Sequence, residues 1–474
     1  MHYNRTKIVA TLGPATSDPL ILRELIEAGV DVFRINFSHS SHKDAKKIIT
    51  DIRKLNEELG TFIAILGDLQ GPKLRIGKVK EGGVVLQEGQ ELIVSTLECI
   101  GSAEKISVSY DKLATEVKKG EQILLDDGNI LLEVIESDGV SIIKTKVIYG
   151  GVLTSFKGFN LPHTKVSLPC LTEKDRADLD FVLENQLEWI GLSFVRSAAD
   201  VIELKHLISK AQSTARVISK IEKPEAVADI EAIVNYSDAV MIARGDLGVE
   251  MDLAKVPMIQ KSIVNLCLKN AKPVIIATQM MQSMIESPTP FRAEVNDVAN
   301  AVLDGADALM LSGETSVGKY PVRVIQTMVK IITEIELSDE IYQRETAPEN
   351  KYSRFISDSI CFNACKLAAS VGAKVITTMT NSGYSAMRIA GMRPKAYIFA
   401  FTDNKSLLTT LNLVWGVRCY YYDKTISTDH TIEDVQYFLK KNGFVQIGDL
   451  VVHTASMPIQ QMGMTNSLKL GEVL

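Results

Sequence analysis

Eight short apolar runs, most of them flanked by a stretch with the 3.6-residue hydrophobic period of a helix, constrain this 474-residue chain more than any other feature. The runs are Lys7–Leu12, Val30–Phe37, Phe62–Leu69, Glu188–Phe194, Arg216–Glu222, Asp238–Asp246, Pro273–Thr278 and Ala308–Ser312. Helix-period segments among them include Pro19–Ala28, Asp44–Leu59, Glu173–Asn185, Ala198–Ala211, Glu225–Asn235 and Pro290–Leu303. A run apolar on both faces reads as a parallel strand covered on both sides, and regular alternation with helices reads as β/α units. Eight such units favour a closed TIM (β/α)8 barrel, with an open doubly wound sheet as the competing arrangement.

The chain is too long for one core, and its pattern changes twice. Between Gly71 and Val166 it turns to short alternating segments: Val84–Leu86, Glu91–Thr96, Ile106–Ser109, Gln122–Leu125, Ile130–Ile135 and Val140–Val147. Glycine-containing turns such as Asp126-Asp127-Gly128 separate most of them. After about Glu340 a helical stretch (Ser353–Val371) precedes apolar runs at Lys374–Thr378, Ala396–Ala400, Arg418–Tyr422 and Asp449–His453. The expected fold class is therefore α/β, in three parts. Residues 1–70 and 167–340 form the barrel; residues 71–166 form an inserted small all-β domain, a β-barrel placed as a lid over the strand ends or a mere spacer; residues 341–474 form an open α/β domain.

Composition narrows the function. An apolar share of 46% and a charged share of 23% are those of a globular protein with a large core, not a disordered one. A net charge of −6 and a pI near 5.8 argue against a nucleic-acid or polybasic-membrane partner, so the substrate is expected to be small. The six cysteines form no Cys-x-x-Cys pair and lie near no histidine at zinc spacing; Cys361 and Cys365 share a helix face and read as core side chains. No stretch of about 18 apolar residues occurs, and the expected location is cytoplasmic.

Polar groups stand at nearly every strand's carboxyl end: Thr11; Arg34, Asn36 and Ser38; Asp68; Ser193; Lys220 and Glu222; Arg244 and Asp246; Thr278 and Gln279; Ser312 and Glu314. In α/β barrels those ends converge on the ligand. Carboxylates and cations facing one mouth would repel or waste desolvation unless they bind an ionic ligand and a metal, or neutralise one another as an internal cluster. Glu222 and Asp246 offer hard oxygen ligands with no histidine or thiolate nearby, which favours magnesium or manganese over zinc. Magnesium so held points to an anionic substrate, and the lysine and arginines suit phosphoryl oxygens. By contrast, Gly313-Glu-Thr-Ser-Val-Gly318-Lys319-Tyr320 imitates a phosphate-binding loop but has Tyr320 where magnesium needs a hydroxyl ligand from Ser or Thr.

Six segments, in order, resemble the pyruvate kinase family: Lys-Ile-Val-Ala-Thr-Leu-Gly-Pro (7–14), Phe-Arg-Ile-Asn-Phe-Ser-His (33–39), Ile-Ser-Lys-Ile-Glu (218–222), Ala-Arg-Gly-Asp-Leu-Gly-Val-Glu (243–250), Ala-Thr-Gln-Met-Met-x-Ser-Met (277–284) and Ala-x-Met-Leu-Ser-Gly-Glu-Thr (308–315). The resemblance implies transfer of the phosphoryl group of phosphoenolpyruvate to ADP. It implies that Glu222 and Asp246 hold magnesium, that Gly245 and Asp246 contact the substrate, and that Lys220 and Arg34 stabilise the transferring group. Thr278 would lie on the route of the proton that enolpyruvate receives, supported by Ser312 and Glu314. His39 and Arg75 would lie toward the nucleotide, with Asp127 and Lys157 of the inserted domain closing over it. Family analogy also implies a homotetramer.

The sequence departs from the better-known family pattern at the monovalent-cation site. Asn36, Ser38 and Asp68 are present, but Leu69 stands where many members have threonine and Lys73 where they have an acid. A fixed ammonium there would supply the charge of potassium, so activity is expected not to need that ion; the alternative is a solvated Lys73 with potassium still bound. In the C-terminal part, Thr378, Thr380, Asn381, Ser382, Gly383 and Ser385 lie where a strand gives way to a helical run, a place suited either to a phosphate or to helix capping. The family resemblance makes this loop a pocket for a phosphorylated allosteric effector. Residues 453–468 contain no Arg or Lys to clamp a second phosphate, so a sugar monophosphate or nucleotide is expected, with fructose 1,6-bisphosphate as the alternative. Another magnesium-dependent lyase or aldolase on the same barrel is the competing function, and a non-catalytic relative the next; Lys220, Glu222 and Asp246 are all retained.

Overall fold

The computed structural model describes residues 3–344, 347–348, 352–424, 427–457 and 463–474. Eight parallel strands close into a barrel: β1 (Lys7–Thr11), β2 (Val32–Asn36), β3 (Ala64–Asp68), β4 (Trp189–Leu192), β5 (Arg216–Ile221), β6 (Ala239–Ala243), β7 (Val274–Ala277) and β8 (Ala308–Leu311), each beside its predecessor and β8 beside β1. The expected strands are all present, one to three residues shorter at their ends. Burial on both faces explains their unbroken apolar character.

Helices follow from local signals. Asp18 accepts the Leu20 N–H and Pro19 opens the helix Pro19–Ala28, which Gly29 ends at φ +119°. The expected helix Glu225–Asn235 is broken instead at Asp229 into Pro224–Ala228 and Ile230–Tyr236. The Asp229 carboxylate is drawn off to accept the Ala198 N–H at the start of the neighbouring helix.

The inserted segment leaves after β3 and has its own core, running from Ile76 to Leu161. Strands Gly151–Leu153 and Phe159–Asn160 were not anticipated, being only three and two residues long. A six-stranded sheet curls until Arg75 bridges Gly158 and Ile76 bridges Val108, so its edges meet through single pairings and not through a continuous ladder. Arg196 clamps the returning linker, donating to the Val166 and Leu168 carbonyls at 2.7 and 2.5 Å.

In the C-terminal part, β9 (Val375–Met379), β10 (Tyr397–Thr402), β11 (Val417–Tyr421) and β12 (Leu450–Ala455) run parallel, and β13 (Ser467–Glu472) joins β12 antiparallel. The edge strand β13 escaped sequence reading because it buries little and shows no apolar run. This part packs under the amino ends of the barrel strands. Leu413 joins the interior barrel cluster from below, and Asn412 donates to the Asp31 carbonyl at 2.8 Å. Among the described residues, no helix is long and apolar enough to cross a membrane.

Candidate functional site at the barrel mouth

Strand alternation decides which polar side chains enter the barrel. Val32, Ala64, Leu66 and Ile218 belong to the interior cluster, so Arg34 on β2, Asp68 on β3 and Lys220 on β5, each two residues further on, point inward at the top. There the apolar filling stops and a charged layer begins. Gly191 on β4 makes room for it, because a Cβ at that position would lie 2.8 Å from Asp68 Oδ1.

Asp68 is the centre of that layer and only 1% exposed. Arg34 Nε donates to its Oδ2 at 2.6 Å, while Lys220 Nζ stands 3.2 Å from Oδ1. Lys220 also lies 3.0 Å from Glu222 Oε1 and donates to Ser193 Oγ at 2.7 Å. Burial alone would push the Asp68 carboxyl up and the Lys220 ammonium down. The mutual charges outweigh it: Lys220 and Arg34 hold Asp68 below the ordinary carboxylate range, and Asp68 with Glu222 holds Lys220 above the ordinary lysine value. Glu222 goes the other way, raised by burial and by the Asp246 carboxylate despite Lys220. Its Oε2 accepts the Phe194 N–H at 2.9 Å. Ser193 stood at a strand end in the sequence but had no role there; it now bridges Lys220 to the Leu69 carbonyl.

Arg244 and Asp246 do not extend β6 as the apolar run implied. The strand stops at Ala243, and Arg244–Glu250 is a short helix with Asp246 in its first turn. Arg244 is engaged within the protein: both terminal nitrogens bond Asp297, each at 2.7 Å, and NH2 also donates to the Thr278 carbonyl at 2.9 Å. It orients the β7 loop. Thr278 sits in that loop at φ +72°, a conformation costly for a β-branched residue. Its Oγ1 accepts the Gly245 N–H at 2.7 Å and donates to the Ala277 carbonyl at 2.6 Å, which ties the loop to the Asp246 helix.

At β8, Glu314 is fully buried. Its carboxylate accepts the Met281 N–H at 3.1 Å and the Ser312 N–H at 2.7 Å, so it braces two loops and leaves Ser312 half-buried. On the rim, Asn36 Oδ1 accepts the Ser38 N–H at 3.0 Å, Leu69 is buried, and Lys73 is exposed with no ion-pair partner among the described residues. His39 is held below its ordinary value by burial and by Lys73, Arg75 and Arg34. Arg75 NH1 donates to the Phe156 carbonyl at 2.8 Å, and Lys157 pairs with Asp126 at 2.7 Å rather than with Asp127. Asp127 and Lys73 line a cleft between the insertion and the barrel together with Asp246 and Glu250. Neither Arg75 nor Lys157 lines it.

The donor set fits a hard divalent cation. Glu222 is buried with a raised affinity for a proton, and among the described residues no hydrogen bond or ion pair engages the Asp246 carboxylate. Among the described residues no group of three His, Cys, Asp or Glu side chains is placed to hold a metal ion by itself.

The C-terminal loop lies at the opposite end of the barrel. Thr378 donates to Ser385 Oγ at 3.0 Å and both are buried, while Thr380 Oγ1 accepts the Gly383 N–H at 2.9 Å. Asn381 and Ser382 are exposed, and Gly383 takes φ +80° before the helix Tyr384–Gly391. Arg216 at the foot of β5 donates to the Ser382 carbonyl at 2.9 Å. Of the cation-free segment 453–468, residues 458–462 lie outside the described residues.

Comparisons of family, sequence and fold with known proteins all lead to one family. The family described as pyruvate kinase, barrel domain, matches residues 3–325, and pyruvate kinase, alpha/beta domain, matches residues 358–470. A pyruvate kinase of Geobacillus stearothermophilus is 42% identical over 467 residues, covering 98% of this chain and 80% of that one. One of Mycobacterium tuberculosis is 42% identical over 464 residues, covering 98% and 97%. The crystal structure of a pyruvate kinase from Cryptosporidium parvum superposes with a TM-score of 0.92 at 33% identity, covering 99% of this chain and 96% of that one.

Proposed function

The chain belongs to the pyruvate kinase family, and from that premise we propose how its barrel mouth divides the work of moving a phosphoryl group from phosphoenolpyruvate to ADP. The family is one of phosphotransferases, and its reaction yields pyruvate and ATP in the last step of glycolysis. The lyase alternative is not favoured, because both family domains match.

One observation carries the assignment. Lys220, buried but held cationic by Asp68 and Glu222, meets the mouth where the apolar filling of the barrel ends. Its ammonium and the Arg34 guanidinium face the oxygens of the group in flight, and both are oriented beforehand by Asp68, so little reorganisation accompanies transfer. Glu222 and Asp246 would hold magnesium, or manganese in its place, which when bound would supply positive charge to the substrate's anionic oxygens. The backbone at Gly245 and Asp246 contacts the substrate. Thr278 presents its hydroxyl on the proton route to the methylene carbon of enolpyruvate, and Glu314 fixes the Ser312 backbone beside it. Arg75 lies toward ADP with its positive charge and His39 with an imidazole that its cationic neighbours keep neutral, with Asp127 in the cleft wall and Lys157 on the insertion above.

Potassium is not required in this reading. The Lys73 ammonium supplies the ion's charge at the rim, and Leu69 offers no ligand oxygen from its side chain. The loop 378–385 takes a phosphorylated effector through the exposed Asn381 and Ser382. The enzyme assembles as a homotetramer, which sedimentation would test, and works in the cytoplasm.

A coupled pyruvate assay with phosphoenolpyruvate, ADP and magnesium, on wild type and Lys220→Met, tests the central assignment; equal rates would refute it. The same assay in sodium or Tris buffer tests the cation reading, and a many-fold gain on adding potassium would sink it.

A further inference from the structure

We propose that Glu250 is a positioning residue that ties closure of the inserted domain to the two carboxylates assigned to the metal. The inference rests on that assignment of Glu222 and Asp246. Glu250 ends the helix whose first turn carries Asp246. Its side chain is 1% exposed, and an acid so buried needs compensation. Two donors supply it at a single oxygen: Lys223 Nζ lies 2.6 Å and Asn160 Nδ2 2.7 Å from Oε1. Oε2 is buried with no hydrogen-bond partner.

The three residues come from three different segments. Asn160 belongs to the last strand of the insertion, Lys223 follows Glu222 directly, and Glu250 lies one helical turn beyond Asp246. Lys223 also stands 5.8 Å above the ring of Phe194, whose backbone N–H, at φ +55°, is the donor to Glu222. One carboxylate oxygen therefore joins the insertion to both metal-bearing segments. When the insertion swings away, Glu250 loses Asn160 and is left with Lys223 alone. The pull on the far end of the Asp246 helix then changes, and the separation of the two carboxylates changes with it. Groups that orient metal ligands from behind typically alter metal affinity 10–100-fold when removed.

The test is direct titration of the full chain with Mn2+, without substrates, read by electron paramagnetic resonance of the free ion. Circular dichroism verifies folding of each variant. Asn160→Ala, which truncates a half-buried side chain of the insertion, is expected to weaken Mn2+ binding about tenfold. Glu250→Gln keeps the side-chain shape and is expected to weaken it similarly. The double variant is expected to be no weaker than the weaker single one, because both remove the same link. Asp246→Asn is the reference and is expected to lose binding. If Asp246→Asn loses Mn2+ while Asn160→Ala binds like wild type, the link through Glu250 is wrong and the metal assignment stands. If Asp246→Asn binds like wild type, the assignment fails and takes the link with it. Additive losses in the double variant would also overturn the link.

Discussion

Individual side chains at the mouth owe their chemistry to their counter-charges. Lys220 stays cationic under burial because two carboxylates stand within 3.2 Å of it, and Asp68 stays anionic because Lys220 and Arg34 flank it. In the proposed assignment, replacing Lys220 by methionine removes an interaction made with the transferring group. Turnover is expected to fall about 10²–10³-fold, with a much smaller change in KM for phosphoenolpyruvate, as steady-state kinetics would measure. Arg34, Asp68, Lys220 and Glu222 were legible in the sequence because charge at the end of an apolar run stands out. Arg244 was equally conspicuous, and its pairing was decided only by Asp297, 53 residues away, which holds it against the β7 loop. Nothing local to Arg244 announced that partner.

Elements carry the next level of control. The insertion returns to the barrel through a linker whose Val166 and Leu168 carbonyls are held by Arg196. Arg196→Ala is expected to loosen the linker, raising KM for ADP several-fold and speeding limited proteolysis between residues 161 and 169; unchanged proteolysis would count against the clamp. In the C-terminal sheet, His453 on β12 is buried between Thr377 Oγ1 at 2.8 Å and Gln436 Nε2 at 3.2 Å. Burial first, and then Lys469, lowers its pKa from 6.5 to about 4. The unfolded chain then takes a proton before the folded one. Stability from this group is full above pH 6.5 and is lost as pH falls toward 4, by up to about 3 kcal/mol. His453→Gln is expected to flatten the fall in urea midpoint over that window.

At the scale of the molecule, the C-terminal domain is cemented under the barrel by buried cations. Arg393, 1% exposed, donates to the Gly305 carbonyl at 2.7 Å, lies 3.1 Å from Asp307 and stacks on Trp415. Asp307 in turn accepts the backbone N–H groups of Val274 and Trp415. Arg393→Ala leaves that carboxylate without its cation. A loss of about 3–5 kcal/mol is expected, with the C-terminal domain melting ahead of the barrel as a separate calorimetric transition. A single unshifted transition would show that the pair does not couple the two domains. Through the same interface Arg216, at the foot of β5, touches the loop 378–385 while Lys220 stands at the head of that strand.

Hydrophobic period and charge at strand termini are local signals, so eight β/α units and the polar residues at their upper ends were legible in the chain, while closure into a barrel over an open sheet was settled by the pairing of β8 with β1. The same signals also marked the insertion and the C-terminal sheet, but not the very short strands Gly151–Leu153 and Phe159–Asn160 or the little-buried edge strand Ser467–Glu472. Tertiary structure alone decided the partners. It assigned Asp297 to Arg244, Asp126 to Lys157, and Asn160 with Lys223 to Glu250, pairings between segments that meet only once the barrel has closed. Apolar burial is repaid by any suitable neighbour and can be read one segment at a time. A buried charge is satisfied only by a particular atom within about 3 Å, and that atom's place is a property of the whole fold.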